Sequence, residues 1–458
     1  MSHFSIKSVR RILSAGFFLA SSSTLMAQSE PEFWKWADKP VMGWNSWDCF
    51  GTSVNEAQIK AHADYMAANL KSVGYTLITV DIQWYEPKSN GFNYRKDAEL
   101  VLDEWSRLIP AETKFPSAKK GAGFKSLAAY VHGKGLKFGI HMMRGISRQA
   151  VRLNTPIKGT QLHAKDIADP ASTCSWNGDM FGVDTTKPGA QEYYDSIMEL
   201  VASWEVDFVK IDDLSRPYHT GEIEAIRKAI DKTGRPIVLS TSPGETPVAQ
   251  GEHVMNHANQ WRVSDDFWDN WKALKEQFVR LNAWTPYRGP GHFPDADMLP
   301  VGKVGAGNGK DAGRTTNFTR DEQTTLMSLW AIVRSPLIIG ADLTRMDPYT
   351  LALLTNSEVI AVDQDSSGNK QLFSKDGQIA WVADVPDSKD KYVALFNSND
   401  APAGQADAEV PLELAALGFD GECQVRDLWQ KKNLGSVKGS FAPKIPWHGA
   451  GLYRIGQR

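Results

Sequence analysis

VDFVKIDDLS, residues 206–215, is an apolar β-type run that ends abruptly in charge. Val206, Phe208, Val209 and Ile211 suit a buried strand, while Lys210, Asp212 and Asp213 gather at its end. NQWRVSDDFWDNW, residues 259–271, repeats the device: Trp261, Arg262 and Val263 lead into Asp265 and Asp266. Near-continuous apolar strands of this kind belong to parallel sheets covered on both faces, in which polar groups collect where the strands open into loops.

Working outward, short β-branched or aromatic runs alternate with amphipathic segments from residue 40 onward, the pattern of successive βα units. Asn55 is placed to cap a helix whose stripe is Ile59, Ala63, Met66, Leu70 and Val73, with Gly74 as its stop. Strands are expected at 42–47, 75–80, 137–143, 207–211, 236–240 and 261–264, around His292, and at 336–340. Eight such strands in the region 28–364 predict a (β/α)8 TIM barrel rather than an open doubly wound sheet. No glycine-rich phosphate fingerprint stands where an open nucleotide-binding sheet would need one.

From about residue 365 the pattern changes to short alternating runs, GQIAWVADV, KYVALFNS and ECQVRDLW, separated by Gly, Asp, Asn and Pro. This is antiparallel composition and predicts a C-terminal β-sandwich over 365–458, packed on the barrel. At the other end, Lys7, Arg10 and Arg11 precede the apolar run from Ile12 to Ala20, and Ala27 offers a cleavage point. The run is short for a membrane span and is interrupted by Ser21 to Ser23, so residues 1–27 read as a bacterial-type signal peptide and the protein as exported, to the periplasm or beyond.

Composition narrows the partners. The 458 residues carry 51 Lys and Arg against 54 Asp and Glu, a net charge of −3, which leaves no basic excess for nucleic acid. No other stretch approaches membrane-spanning length, and an uncharged ligand fits this balance. Sixteen Trp could stack on sugar faces, although most are expected in the core. Cys49, Cys174 and Cys423, widely spaced, form neither a disulfide framework nor a zinc pattern, and three buried thiols are expected, with one bridge as the alternative.

In a barrel, working residues project from the C-terminal ends of several strands. Asp81, His141, Lys210, Asp212, Arg262 and Asp266 all occupy such ends. Retaining glycosidases need two carboxyl groups, one to attack the anomeric carbon and one to protonate the leaving oxygen. The attacking group must stay ionised, and Lys210, two residues before Asp212, points to the same side of the strand. That favours Asp212 over Asp213 as nucleophile. Between Asp265 and Asp266 spacing alone does not choose, and Arg262 suits either vicinal sugar hydroxyls or a carboxylate.

The ordered series MGWNSW at Met42, VDFVKIDD, WRVSDDFWDNW, HFPDADML and SPLIIGADL resembles glycoside hydrolase family 27, the α-galactosidase family. The resemblance runs through nearly the whole chain after residue 27. It implies a (β/α)8 barrel with a C-terminal antiparallel domain, retention of anomeric configuration, and no metal or cofactor. It implies Asp212 as nucleophile and Asp266, four residues after Arg262, as acid/base. Lys210 and Arg262 then match residues that hold sugar hydroxyls, and Trp44 matches an aromatic of the sugar pocket.

Departures from the family pattern bear on the substrate. Many α-galactosidases carry Asp-Asp at the end of the second strand, where this chain has Asp81-Ile82. Ile82 removes an acceptor for a 6-hydroxyl and fills the space of a hydroxymethyl group, which suits β-L-arabinopyranoside, an α-D-galactopyranoside without its exocyclic CH2OH. Some family members are β-L-arabinopyranosidases that resemble this chain at that position. A family Cys-Glu-Trp is replaced by TSPGE, so Ser242 is expected where a Glu would bond the 2-hydroxyl, with Glu245 able to compensate from the loop. His141 stands for a Tyr, and Leu214 stands where Cys174 would find a partner Cys. Asp295 and Asp297 lack an accompanying His pair and are not expected to hold a metal. The expected activity is therefore removal of terminal β-L-arabinopyranose, with α-D-galactosidase activity or non-catalytic carbohydrate binding as the alternatives; oligomeric state is left open.

Overall fold

The structure is a computed structural model that describes residues 1–2, 30–305, 313–402 and 404–458. The expected signal peptide thus lies, beyond its first two residues, outside the described residues. Glu32–Arg458 forms one compact unit; the other unit, Met1–Pro31, has four described residues, 1–2, 30 and 31, all irregular.

Eight parallel strands run in sequence order: β1 (Met42–Asn45), β2 (Leu77–Val80), β3 (Lys137–Met143), β4 (Phe208–Asp212), β5 (Val238–Thr241), β6 (Gln260–Arg262), β7 (Phe293–Asp295) and β8 (Leu337–Ile339). The ladder is continuous from β7 back to β1 and on to β8. Between β7 and β8 the curl is bridged by Leu299, whose N–H donates to Ile338 O at 2.7 Å and whose carbonyl accepts from Gly340 N at 3.1 Å. The expected barrel is thus present, with most strand cores shorter than the apolar runs suggested. The first strand stops at Asn45 rather than continuing to Trp47, because the Asn45 side-chain oxygen accepts the Trp47 N–H at 2.9 Å and turns the chain.

The helix after β1, α1 (Glu56–Asn69), shows how local chemistry sets an element. Asn55 and Gln58 form a reciprocal capping box with bonds of 3.0 and 3.1 Å. Ile59, Ala63, Met66 and Leu70 are fully buried against the barrel, Val73 is half-buried in a following 3-10 turn, and Gly74 ends it at φ +112°.

The chain from Ser367 to Gln457 builds a six-stranded antiparallel sheet, with two short two-stranded ribbons, 407–409 with 444–446 and 412–413 with 440–441. Its period-2 alternation divides two cores. Along the strand β9 (Gln378–Asp384), Ile379, Trp381 and Ala383 join the barrel core, while Ala380 and Val382 face a separate core with Val410, Leu412 and Phe441. The helix α2 (Arg320–Ile332) is buried over nearly its whole length where barrel and sheet meet. Phe278 packs edge-on against Phe396 at 4.9 Å, and Trp429 donates to Ser328 at 2.9 Å across the same junction.

Among the described residues no helix is long and apolar enough to cross a membrane. Cys49, Cys174 and Cys423 are all buried free thiols, as expected.

Candidate active site

The strand register sets the floor of the site. His141 on β3 pairs with Lys210 on β4, which pairs with Ser240 on β5, and Asp212 lies one step further towards the open end. Above this row opens a cavity of about 430 Å³, lined by Trp47, Asp81, Ile82, Tyr94, Trp176, Lys210, Asp212, Asp265 and Asp266 among others. A cavity of this size accommodates one sugar ring and part of its aglycone.

At the floor, Asp212 is buried, with Lys210 Nζ 3.7 Å from Oδ1 and His141 Nε2 3.0 Å from Oδ2. Burial alone would raise its pKa, but Lys210, His141 and the Ser242 hydroxyl outweigh that and hold the carboxyl well below the usual range. Lys210 also donates to Asp81 Oδ2 at 3.0 Å. Burial opposes its charge, yet Asp212 and Asp81 hold the ammonium above its ordinary pKa. Asp81 in turn accepts from Asn45 Nδ2 at 2.7 Å and from Ile82 N at 2.8 Å. Three strand ends thereby share one Lys-centred network, and Asp212 is ionised within it.

Asp266 lies four residues beyond β6 and differs in kind. Its side chain is half-exposed, and its contact is Arg262 Nη2 at 3.2 Å. The same guanidinium binds the buried Asp297 more closely, at 2.7 Å. Burial raises the pKa of Asp297, with Asp266 and Asp295 adding to it against the pull of Arg262. Asp265 is turned outward into a two-pronged pair with Arg216, at 2.8 and 2.9 Å, on the rim.

Five of the nine expected site residues, Asp81, Ile82, Lys210, Asp212 and Asp266, line the cavity together. His141 sits beneath it against Asp212, while Ser242 and Arg262 line a smaller void deeper in the barrel with Lys210 and Asp297. Trp44 needs correction. It lies within β1, where strand alternation carries its ring into the core to stack on His62 at 4.3 Å and its indole N–H to Ala341 O at 2.7 Å. Trp47, released over the barrel mouth by the Asn45 turn, is the tryptophan from that motif that reaches the cavity. Glu245, expected to compensate for Ser242, instead faces Arg280 at 3.5 Å and does not line the cavity.

Sequence reading missed the aromatic rim. Trp47 lies parallel to Tyr94 at 6.1 Å, and Tyr94 is tilted against Trp176 at 5.5 Å. Tyr94 comes from the polar loop after β2 and Trp176 from the loop after Cys174, so neither belongs to a periodic element that would have announced it. Asp213, passed over as nucleophile because alternation turns it to the other side of the strand, is not removed from the site. Its backbone at φ +69° keeps it on the cavity wall, where Arg144 Nη2 binds its carboxylate at 2.7 Å and joins it to Glu222, also at 2.7 Å. Asp295 and Asp297 are occupied by protein donors, Gln260 at 3.0 Å for the first and Phe267 N at 2.7 Å for the second.

Comparison with known proteins bears on the fold and the family. A family profile described as alpha galactosidase A matches residues 175–365, and one described as the alpha galactosidase C-terminal beta sandwich domain matches 375–455. The crystal structure of a family 27 β-L-arabinopyranosidase from Geobacillus stearothermophilus, an Asp-to-Ala variant in complex with arabinose, is 48% identical, with a TM-score of 0.90 over 94% of this chain and 100% of that one. Alpha-galactosidase 2 of Arabidopsis thaliana is 30% identical over 92% of this chain and 90% of that protein. Alpha-galactosidase A of Cellvibrio japonicus is also 30% identical, over 98% of this chain and 100% of that protein. With the two profiles matched in order from residue 175 to 455 and relatives at 30% identity or more spanning nearly the full length of the chain, the protein is a glycoside hydrolase of family 27.

Proposed function

We propose that this enzyme removes terminal β-L-arabinopyranosyl residues by double displacement, with Asp212 as nucleophile and Asp266 as acid/base. Asp212 attacks the anomeric carbon while Asp266 protonates the departing oxygen; Asp266 then takes a proton from water as that water cleaves the glycosyl-enzyme ester. The buried, cation-held carboxylate suits attack, because it is ionised and poorly solvated. The exposed carboxylate suits proton exchange with solvent and leaving group. Lys210 and Asp81 offer a donor and an acceptor to ring hydroxyls.

One observation carries the choice of sugar: Ile82 lines the cavity beside Asp81. An apolar side chain there gives no partner to a hydroxyl and favours a ring that lacks the hydroxymethyl group. The relative at 48% identity is described as a β-L-arabinopyranosidase, which supports the same reading. The rival reading, an α-D-galactosidase, draws support from relatives of that name at 30% identity. Hydrolysis of p-nitrophenyl β-L-arabinopyranoside and p-nitrophenyl α-D-galactopyranoside separates the two. A higher kcat/KM on the arabinoside is expected, and a clear preference for the galactoside would overturn the assignment. Export belongs to the same proposal, resting on the basic and apolar pattern of residues 7–27; the mature N-terminus, read by mass spectrometry, checks it.

A further inference from the structure

Glu224, His253 and His257 meet away from the cavity, none of them lining it. Glu224 belongs to α3 (Thr220–Lys232), the helix after β4; His253 belongs to α4 (Gly251–Met255), and His257 lies just past its end. One ligand atom from each lies within 4.8 Å of the others, and all three residues are partly buried. His253 Nε2 is already 3.4 Å from Glu224 Oε1. Ligand atoms around a tetrahedral zinc at ordinary bond lengths sit about 3.3 Å apart, a spacing the His253–Glu224 pair already has.

The second nitrogen of each ring is also engaged. His257 Nδ1 is 2.7 Å from the carbonyl oxygen of His253. A carbonyl only accepts, so Nδ1 carries the proton and Nε2 is left with a free lone pair. His253 Nδ1 is 2.6 Å from the Tyr218 hydroxyl, a group that can either donate or accept. With no cation present, Tyr218 donates to Nδ1 and the Nε2 proton of His253 points at Glu224. When a cation arrives, that proton moves to Nδ1, Tyr218 turns its hydroxyl to accept, and Nε2 faces the metal. Ring orientation by an outer hydrogen bond is the usual support of a metal-binding histidine. The two rings stack at 4.2 Å with 19° between their planes, so the His257 ring must turn about its side-chain bonds for its in-plane lone pair to meet that of His253 at one ion.

We propose that Glu224, His253 and His257 form a zinc-type cation site, completed by water. Two imidazoles and one carboxylate select borderline metals such as zinc over magnesium or calcium. The site would tie α3 to α4 and, through Tyr218, to the turn that follows Asp212 and carries Arg216 to the cavity rim. Its expected consequence is on stability rather than on the glycosidic reaction.

The full chain, treated with EDTA and dialysed, is titrated with CoCl2 and then with ZnCl2. One equivalent of cobalt should produce the visible absorption of a four-coordinate site, zinc should displace it, and zinc should raise Tm. Glu224→Gln and His257→Gln should each lose the cobalt band and the zinc-dependent rise in Tm while keeping glycosidase turnover. Tyr218→Phe should keep the band with affinity about ten-fold weaker. Absence of the band and of the Tm shift in the unmodified protein would overturn the site. So would their persistence in both ligand variants.

Discussion

Asp212 and Asp266 are the same side chain at the ends of two strands of one barrel, with a single strand between them, yet their surroundings are opposite. Asp212 is buried and held between an ammonium and an imidazole; Asp266 is half-exposed beside an arginine whose closer partner is Asp297. Burial without compensation would protonate Asp212. Lys210 reverses that sign, which is why a low-dielectric floor can hold a charged nucleophile. Two like groups acquire two roles from environment alone, one fixed and ionised, the other open to proton traffic.

The largest expected effect comes from removing the floor carboxylate. Asp212→Asn should lower kcat/KM by at least about four orders of magnitude, the scale of losing a covalent nucleophile, with Tm and the circular dichroism spectrum little changed. Asp266→Ala should cost about 10²–10⁴-fold on arabinosides with alkyl leaving groups and much less on nitrophenyl substrates, whose leaving group needs little protonation. Equal losses on both substrate types would erase the contrast between the two residues.

Lys210→Met tests the sign of the electrostatics. In the unmodified enzyme Asp212 titrates well below the ordinary carboxylate range, so its ionisation adds no acid limb to the kcat/KM profile near pH 4 and above. Without the ammonium, His141 and Ser242 alone oppose burial, the Asp212 pKa rises, and activity should be lost progressively as pH falls through the new value. The corresponding folding contribution has the same direction, since a depressed carboxylate stabilises above its unfolded pKa and loses that as pH drops. An unchanged acid limb in Lys210→Met would contradict the role given to the cation.

Smaller effects belong to specificity. Ile82→Asp should move the ratio of galactoside to arabinoside kcat/KM towards galactose by about ten-fold or more. Trp176→Ala, at the partly exposed end of the aromatic rim, should raise KM for aryl arabinosides by the equivalent of about 0.5–1.5 kcal/mol with kcat nearly unchanged.

The order of the barrel strands and the helix stripe from Ile59 to Val73 were legible because burial imposes periodicity on composition. The ionic floor was legible too, since Lys210 and Asp212 share a strand face by alternation. What escaped was set by loops and by exceptions to alternation. Trp44 and Trp47 sit three residues apart in one motif, and only the Asn45 turn decides which ring reaches the cavity. Tyr94 and Trp176 come from loops far apart in sequence, and Arg144 finds Asp213 and Glu222 through tertiary packing that no local pattern encodes.

Azide rescue with product stereochemistry tests the central contrast most directly. In Asp266→Ala, azide should intercept the glycosyl-enzyme on Asp212 and yield β-L-arabinopyranosyl azide, with the configuration of the substrate retained. In Asp212→Ala, azide should take the place of the missing carboxylate and yield the inverted α-azide. Proton NMR of the two products reads the outcome; the opposite assignment of retained and inverted azides would contradict the roles given to the two carboxylates.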